Sequence, residues 1–473
     1  MKNEIQHPIQ IFLQFLDNKE IKYVCWKDLN LLGDVFEGKK DLDILILAGN
    51  TKKLVQIANG FGALILRNRF ENTDDLIHLF LQGEGGEVFH VHVYTRLITG
   101  ESWVKEFHLP IERKVLQQRI WDLEYNIWVI PESLNQEFII LRYLLKITSL
   151  FSLYSYRKKR SDATHYIYKI QNGPSQDVFV NISKMLNKNL ILLKSDNIKI
   201  HYFSALKLRE KLLKYRRFTL MSLFFRRLKG AYVRLLKKYV YKEKKIFPNQ
   251  GVILAITGVD GSGKSSLIAS TENYYSKILT TRRTHIGRPY PNFIGNIFQI
   301  FRNKNASKNV NLSKETTSLL KSIFALFLAL SRLRRAQKIT RLAEKGYLVL
   351  VDRWPTRELG KMDGPRVKFN ENSSLCIWYL GKCEHHMYNK IPSSDICIIL
   401  HVSLDDAQLR NSTRKKVNKE SAQEIEQRFY KNYEFVPKSK NIINYNNTSD
   451  LVTAKHDIIK LSWTSILDQV TEE

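Results

Sequence analysis

Two kinds of apolar pattern run along this chain. In the second half, residues 252–257, 346–351 and 396–402 are short, nearly continuous apolar runs. Such runs read as strands buried on both faces, the habit of a parallel sheet covered by helices. In the first 150 residues, strand-like runs at 44–47 and 88–93 accompany helical spacing at 9–16, which predicts a small α/β or α+β domain. From Asn135 the spacing becomes helical, interrupted by Asn172-Gly173-Pro174-Ser175. Between Lys207 and Lys245, Leu212, Leu220, Leu223, Phe224, Leu228, Leu235 and Leu236 alternate with the basic pairs Arg216-Arg217, Arg226-Arg227, Lys237-Lys238 and Lys244-Lys245. The turn-rich Phe247-Pro248-Asn249-Gln250-Gly251 then precedes the first continuous strand. The expected organisation is a domain over 1–134, a helical, basic connector over 135–246, and an α/β domain over 247–473 whose parallel sheet is flanked by helices.

A length of 473 residues suits two or three such units. With 44% hydrophobic and 11% aromatic residues, the chain has enough apolar surface to exclude global disorder. Its net charge of +29 favours polyanionic surroundings, whether nucleic acid, anionic lipid or phosphorylated substrates. The basic connector accordingly reads as a solvated helical linker, a surface for anionic lipid, or a weaker claim on nucleic acid. Cys25, Cys376, Cys383 and Cys397 form no CxxC pair or zinc-like spacing and suit a reducing cytosol. Residues 1–17 lack the pattern of an export signal, and the apolar patch at 323–330 is too short to span a bilayer. The expectation is a cytoplasmic protein, at most peripheral at the inner membrane.

The chemistry concentrates at Gly258-Val259-Asp260-Gly261-Ser262-Gly263-Lys264-Ser265, directly after the run 252–257 and before a stretch that can start a helix. Strand, glycine loop and helix make a phosphate-binding loop. Backbone N–H groups of Gly258, Asp260, Gly261, Ser262 and Gly263, continuing through Ser266, would surround the phosphates of ATP. Lys264 would reach the β and γ oxygens, and the Ser265 hydroxyl would face Mg²⁺. The run 346–351 ends in Asp352-Arg353, a carboxylate suited to Mg²⁺ beside a guanidinium suited to phosphate. After the run 396–402, Arg410 and Arg414 lie on a helical stretch that either closes over the triphosphate as a basic lid or is a solvated face.

These residues resemble the thymidylate kinase family of P-loop kinases over about the last 225 residues. The resemblance implies that Asp260 lies toward the acceptor's sugar, that Arg353 contacts phosphate while Asp352 supports magnesium, and that Arg332, in Leu330-Ser331-Arg332, helps hold the acceptor base. It also implies the lid role for Arg410 and Arg414, and often a homodimer. Gly287-Arg288-Pro289 stands where the family has Arg-Glu-Pro, so Arg288 would keep a phosphate contact without the Glu. Residues 354–366 replace the family's usual acceptor segment. There Asp363 and Arg366 either bind a different acceptor or hold a Gly-Pro turn.

In the first domain, Asp41-Leu42-Asp43 puts two carboxylates on one face of a strand. This resembles the Asp-x-Asp signature of nucleotidyltransferase-like domains over about residues 20–110. Trp26-Lys27-Asp28 replaces the family's Gly-Ser, and the expected partner strand carries His90 and His92 instead of a third carboxylate. A metal site of Asp41, Asp43, His90 and His92 and a purely structural role both remain open. A nucleotidyltransferase-like module joined to a thymidylate-kinase-like one resembles proteins encoded among bacterial surface-polysaccharide genes. The combined expectation is ATP-dependent phosphoryl transfer to a nucleoside monophosphate or a sugar or glycan acceptor. The alternatives are a nucleotide-binding, membrane-associated scaffold, and nucleotidyl transfer by the first domain.

Overall fold

The computed structural model describes residues 7–69, 73–101, 104–147, 179–190, 198–239, 244–287, 314–371, 373–412 and 435–471, with a few positions between 423 and 430. The chain forms two compact units, Met1–Glu243 and Lys244–Glu473.

The first unit is built on strands β1 (Val24–Cys25), β2 (Leu42–Leu45), β3 (Leu64–Asn68), β4 (Leu76–Gln82), β5 (Val88–Tyr94), β8 (Ile120–Asp122) and β9 (Ile127–Val129), with a separate hairpin of β6 (Ile98–Thr99) and β7 (Phe107–His108). The order is β3-β4-β5-β2-β1-β9-β8, in a mixed sheet where β2 runs parallel to β5 and antiparallel to β1. Side chains alternate across its plane, so each face has its own core. Leu42, Ile44, Phe89, Val91 and Val93 pack with Phe12, Leu13 and Leu54 on one side. Val24, Trp26, Leu45 and Tyr94 meet Phe138, Leu141, Ala205 and Leu208 on the other.

That second core explains where the helical stretch after Asn135 goes. Helices Glu132–Ile147, Val180–Leu186 and Ile198–Lys211 bury their apolar faces beside Trp26 and Tyr94. Several of the connector's basic residues are bound within the same unit. Arg209 and Arg227 bond the fully buried Glu106, and Arg217 meets Asp75 at 2.5 Å. The Asn172–Ser175 turn lies outside the described residues.

The second unit begins at the short β10 (Lys245–Ile246) and centres on β11 (Ile253–Gly258), β12 (Thr281–His285), β13 (Leu348–Asp352), β14 (Ser394–His401) and β15 (Ser439–Asn446). These last five strands are parallel throughout, in the order β12-β13-β11-β14-β15. The three apolar runs are the three inner strands, and every residue of β11 is buried. β12 (TRRTH) and β15 (SKNIINYN) are polar, half-exposed edges. Edge strands need no continuous apolar run, which is why periodicity did not reveal them. Helices Lys264–Tyr275, Lys314–Ala343, Leu375–Lys390 and Leu451–Thr471 accompany the sheet.

Just ahead of β11, Gly251 is buried against the backbone of Tyr347, and its N–H donates to Ala343 O at 2.8 Å. A Cβ there would lie 2.0 Å from Tyr347 O. Gly251→Ala should therefore lower the stability of the second unit by about 1–3 kcal/mol through backbone overpacking. A shift of the urea midpoint checks this; an unchanged midpoint would show that the strand entry can move aside.

Candidate active site

In the second unit the chain passes from β11 through the glycine loop into the helix Lys264–Tyr275. Gly261 has φ +91°, and a Cβ there would lie 2.7 Å from Ala407 O, so this turn needs glycine for both conformation and space. Gly263, also at positive φ, caps the helix, whose first turn begins at Lys264 with Ser265 and Ser266 exposed. The positive end of the helix and the loop N–H groups thus come together where an anion would bind. Lys264 is buried, and its ammonium donates to Val259 O at 2.6 Å and Ser262 Oγ at 3.4 Å. The lysine therefore lies along its own loop, 3.9 Å from Asp260.

Parallel pairing sets Asp352 beside Ile256, so the tip of β13 stands next to the start of the glycine loop. Burial favours the neutral acid at Asp352. His285, whose Nδ1 lies 3.5 Å from Asp352 Oδ2, with Arg353 and Lys264 outweighs it and holds the carboxyl below its ordinary value. Among the described residues, the buried Asp352 Oδ1 has no hydrogen-bond partner. An ionised oxygen placed in this way fits a divalent cation.

Arg353 has φ +70° and extends from the strand end to Asp260 of the loop at 2.6 Å, with Asp363 at 3.7 Å. Burial works against its charge, but Asp260, Asp363 and Asp352 raise its pKa above the ordinary arginine value. Arg332, only 1% exposed, donates to Asp363 at 2.5 Å and to the Tyr388 hydroxyl at 2.5 Å. The resemblance implied an acceptor contact for Arg332, and the sequence left Asp363 open between an acceptor and a Gly-Pro turn; in the structure the two form a buried pair beside Arg353. Arg366 is exposed, while its backbone N–H, like that of Val367, donates to the fully buried Glu384. Arg410 lies on the helix Leu404–Ser412 and donates to Asn447 O at 3.0 Å, close to Gly263. Arg288 and Arg414 lie outside the described residues.

Four participants escaped sequence reasoning. The buried Asn447 donates through its side chain to Ser262 O at 2.8 Å, anchoring the loop from the end of β15. His285 faces Asp352 from β12, and from the helix Leu375–Lys390 Glu384 holds the backbone of the 363–367 turn while Tyr388 holds Arg332. Both strands are polar edges, so periodicity carried no signal for Asn447 or His285. Glu384 and Tyr388 share a helix face at i, i+4, the only trace of a joint role.

In the first unit, Asp41, Asp43, His90 and His92 do converge. Asp43 is buried and meets Lys27 at 2.8 Å and His92 Nδ1 at 3.2 Å. Burial would raise its pKa, but Lys27 and His92 drive it far below the carboxylate range. Asp41 accepts from His90 Nδ1 at 2.7 Å. His78, which the sequence did not single out, joins from β4, with Nδ1 3.2 Å from His90 Nε2. Of the segment standing where Gly-Ser is expected, Trp26 is core, Lys27 neutralises Asp43, and Asp28 pairs with Arg142 at 2.7 Å.

No family model matches this chain. An uncharacterized ATP-binding protein of Escherichia coli K12, YghR, is 22% identical over 165 residues, covering 32% of this chain. The matched part spans 65% of YghR's own length. Among solved structures, thymidylate kinase from Candida albicans aligns with 46% of this chain and 92% of its own, at 18% identity and a TM-score of 0.28. Deoxyadenosine kinase from M. mycoides, solved with bound dATP, covers 45% of this chain and 99% of its own at 17% identity and a TM-score of 0.26.

Removing Arg332 would leave Asp363 buried beside fewer positive charges. Arg332→Met should cost about 3–5 kcal/mol, the penalty of breaking a buried ion pair. Urea unfolding measures it; a loss under about 1 kcal/mol would mean that the pair is dispensable.

Proposed function

We propose that the second unit is an ATP-dependent kinase acting on a nucleoside monophosphate or a sugar or glycan acceptor. The observation that carries this reading is the side-by-side placement of the glycine loop at the tip of β11 and Asp352-Arg353 at the tip of β13. Magnesium-bound ATP would supply the phosphoryl group. Loop N–H groups and the Lys264 ammonium would bind its phosphates, a contact that requires the lysine to leave Val259 O. Ser265 and Asp352, whose Oδ1 has no hydrogen-bond partner among the described residues, would hold Mg²⁺. Arg353 would stabilise charge on the transferring group once phosphate competes with Asp260 for its guanidinium. Arg410, beside Gly263, would add a second positive charge from the flanking helix.

The test is turnover of Mg²⁺-ATP by purified protein against nucleoside monophosphates, sugars and a lipid-linked glycan extract, read as a mass gain of one phosphate on the acceptor. Lys264→Ala should lower turnover by about 10²–10³-fold, the scale of removing one preorganised charge-stabilising donor. Unchanged far-UV circular dichroism would show that the fold persists. Equal turnover in the variant would overturn the assignment, and ATP binding with no acceptor-dependent product would favour a nucleotide-binding scaffold. Nucleotidyl transfer by the first unit has less in its favour, because Lys27 already neutralises Asp43 of the Asp-x-Asp pair.

One surface favours a second property, peripheral contact with anionic lipid. On the helix Leu220–Tyr239, Leu220, Met221, Phe224, Phe225, Leu228 and Tyr232 are all exposed, whereas Leu223 and Val233 are buried on the other side. Exposed aromatic and aliphatic residues along one helix face, with the exposed Lys229 alongside, suit insertion among acidic headgroups. No described helix is long and apolar enough to cross a membrane. Phe224→Asp combined with Phe225→Asp should lower co-sedimentation with phosphatidylglycerol vesicles at least about tenfold, since both rings would otherwise enter the interface. Equal pelleting of the variant would remove the helix from consideration.

A further inference from the structure

We propose that the first unit binds one zinc-class divalent ion through His78, His90 and His92. The three residues lie on the adjacent antiparallel strands β4 and β5, where His78 stands opposite His92 and Phe80 opposite His90. Strand alternation sends all three imidazoles to the same face as Asp41 and Asp43. One ring nitrogen from each lies within 4.8 Å of the others. His78 Nδ1 and His90 Nε2 are 3.2 Å apart. Two nitrogens bound tetrahedrally at about 2.0–2.1 Å from zinc would be separated by about 3.3 Å. The pair therefore already has the spacing that a shared ion imposes, with His92 close enough to complete a set of three.

The outward nitrogens make the same case. His90 Nδ1 faces Asp41 Oδ1 at 2.7 Å, His92 Nδ1 faces Asp43 Oδ1 at 3.2 Å, and His78 Nε2 faces the Asn68 amide nitrogen Nδ2 at 3.2 Å. Rotating the Asn68 amide by 180°, which exchanges its nitrogen and oxygen, makes each outer nitrogen a donor and leaves the lone pairs of His78 Nδ1, His90 Nε2 and His92 Nε2 pointing inward. Metal-bound histidines are oriented in this way, by a carboxylate or carbonyl on the far nitrogen. Packing fixes the rings further: His78 is 3% exposed, and Phe80 stacks on His90 with centroids 4.2 Å apart. Three neutral imidazoles favour a zinc-like ion over magnesium, which prefers oxygen ligands. The fourth position lies toward the half-exposed Asp41, whose Oδ2 is 3.7 Å from His92 Nε2, and takes water or that carboxylate oxygen. Asp43, engaged by Lys27 and His92, serves as an orienting group and not as a ligand.

Cobalt(II), a spectroscopic substitute for zinc, tests the site in the chelator-treated full-length protein. One equivalent should bind with the intense visible absorption of a four-coordinate ion, and zinc should displace it. His90→Gln and His92→Gln should abolish that band, and His108→Gln, on another strand of the unit, should retain it. Asp41→Asn should weaken cobalt binding about 10–100-fold, the usual effect of losing an orienting partner. The buried His78 is left intact because its replacement endangers the fold. A wild-type spectrum no different from aqueous cobalt would overturn the proposal whatever the variants do, as would a four-coordinate band that survives both His90→Gln and His92→Gln.

Discussion

A guanidinium removed from water must be paired, and in the second unit this requirement joins elements that lie far apart in sequence. Arg332, inside the helix Lys314–Ala343, holds Asp363; Asp363 lies beside Arg353 at the end of β13; and Arg353 holds Asp260 of the glycine loop. Losing one member would leave a neighbour charged and poorly solvated, a far larger penalty than the net value of a surface ion pair. The chain of charges thus ties the loop, the strand tip and the 363–367 turn into one arrangement. It also holds Arg353 where a phosphate could draw it away from Asp260.

The glycine loop is supported from its other side by Asn447, whose side chain bonds Ser262 O, and by Ala407, whose backbone leaves no space for a side chain at Gly261. Lys264 occupies the same concave space, bonded to Val259 O. Preorganisation here means that most loop contacts already exist, and the lysine and Arg353 are the groups whose partners must change when an anion enters.

The first unit handles buried charge with different partners. Some of its basic side chains neutralise its own buried acids, Arg209 and Arg227 on Glu106 and Lys27 on Asp43. A cluster of basic residues in the sequence is therefore a poor guide to a basic surface at that place, because some of those side chains pair with buried carboxylates, although the net charge of the chain is unchanged by such pairs. Exposed apolar side chains on the helix Leu220–Tyr239 show the converse, since their helical spacing alone reads equally well as core.

The sequence by itself determined the inner strands of the second unit, because residues buried on both faces must be apolar in an unbroken run. It likewise determined the glycine loop, because positive φ and close backbone approach require glycine at particular spacings. The Asp41, Asp43, His90 and His92 grouping was legible too, since alternation along two strands is a local property. Only the tertiary structure decided which strands became neighbours, and so brought His78 to His90, His285 to Asp352 and Asn447 to Ser262. Those partners sit on a third strand or on polar edges. Their identity depends on register and pairing across long sequence separations, which no local pattern of hydrophobic and polar residues encodes.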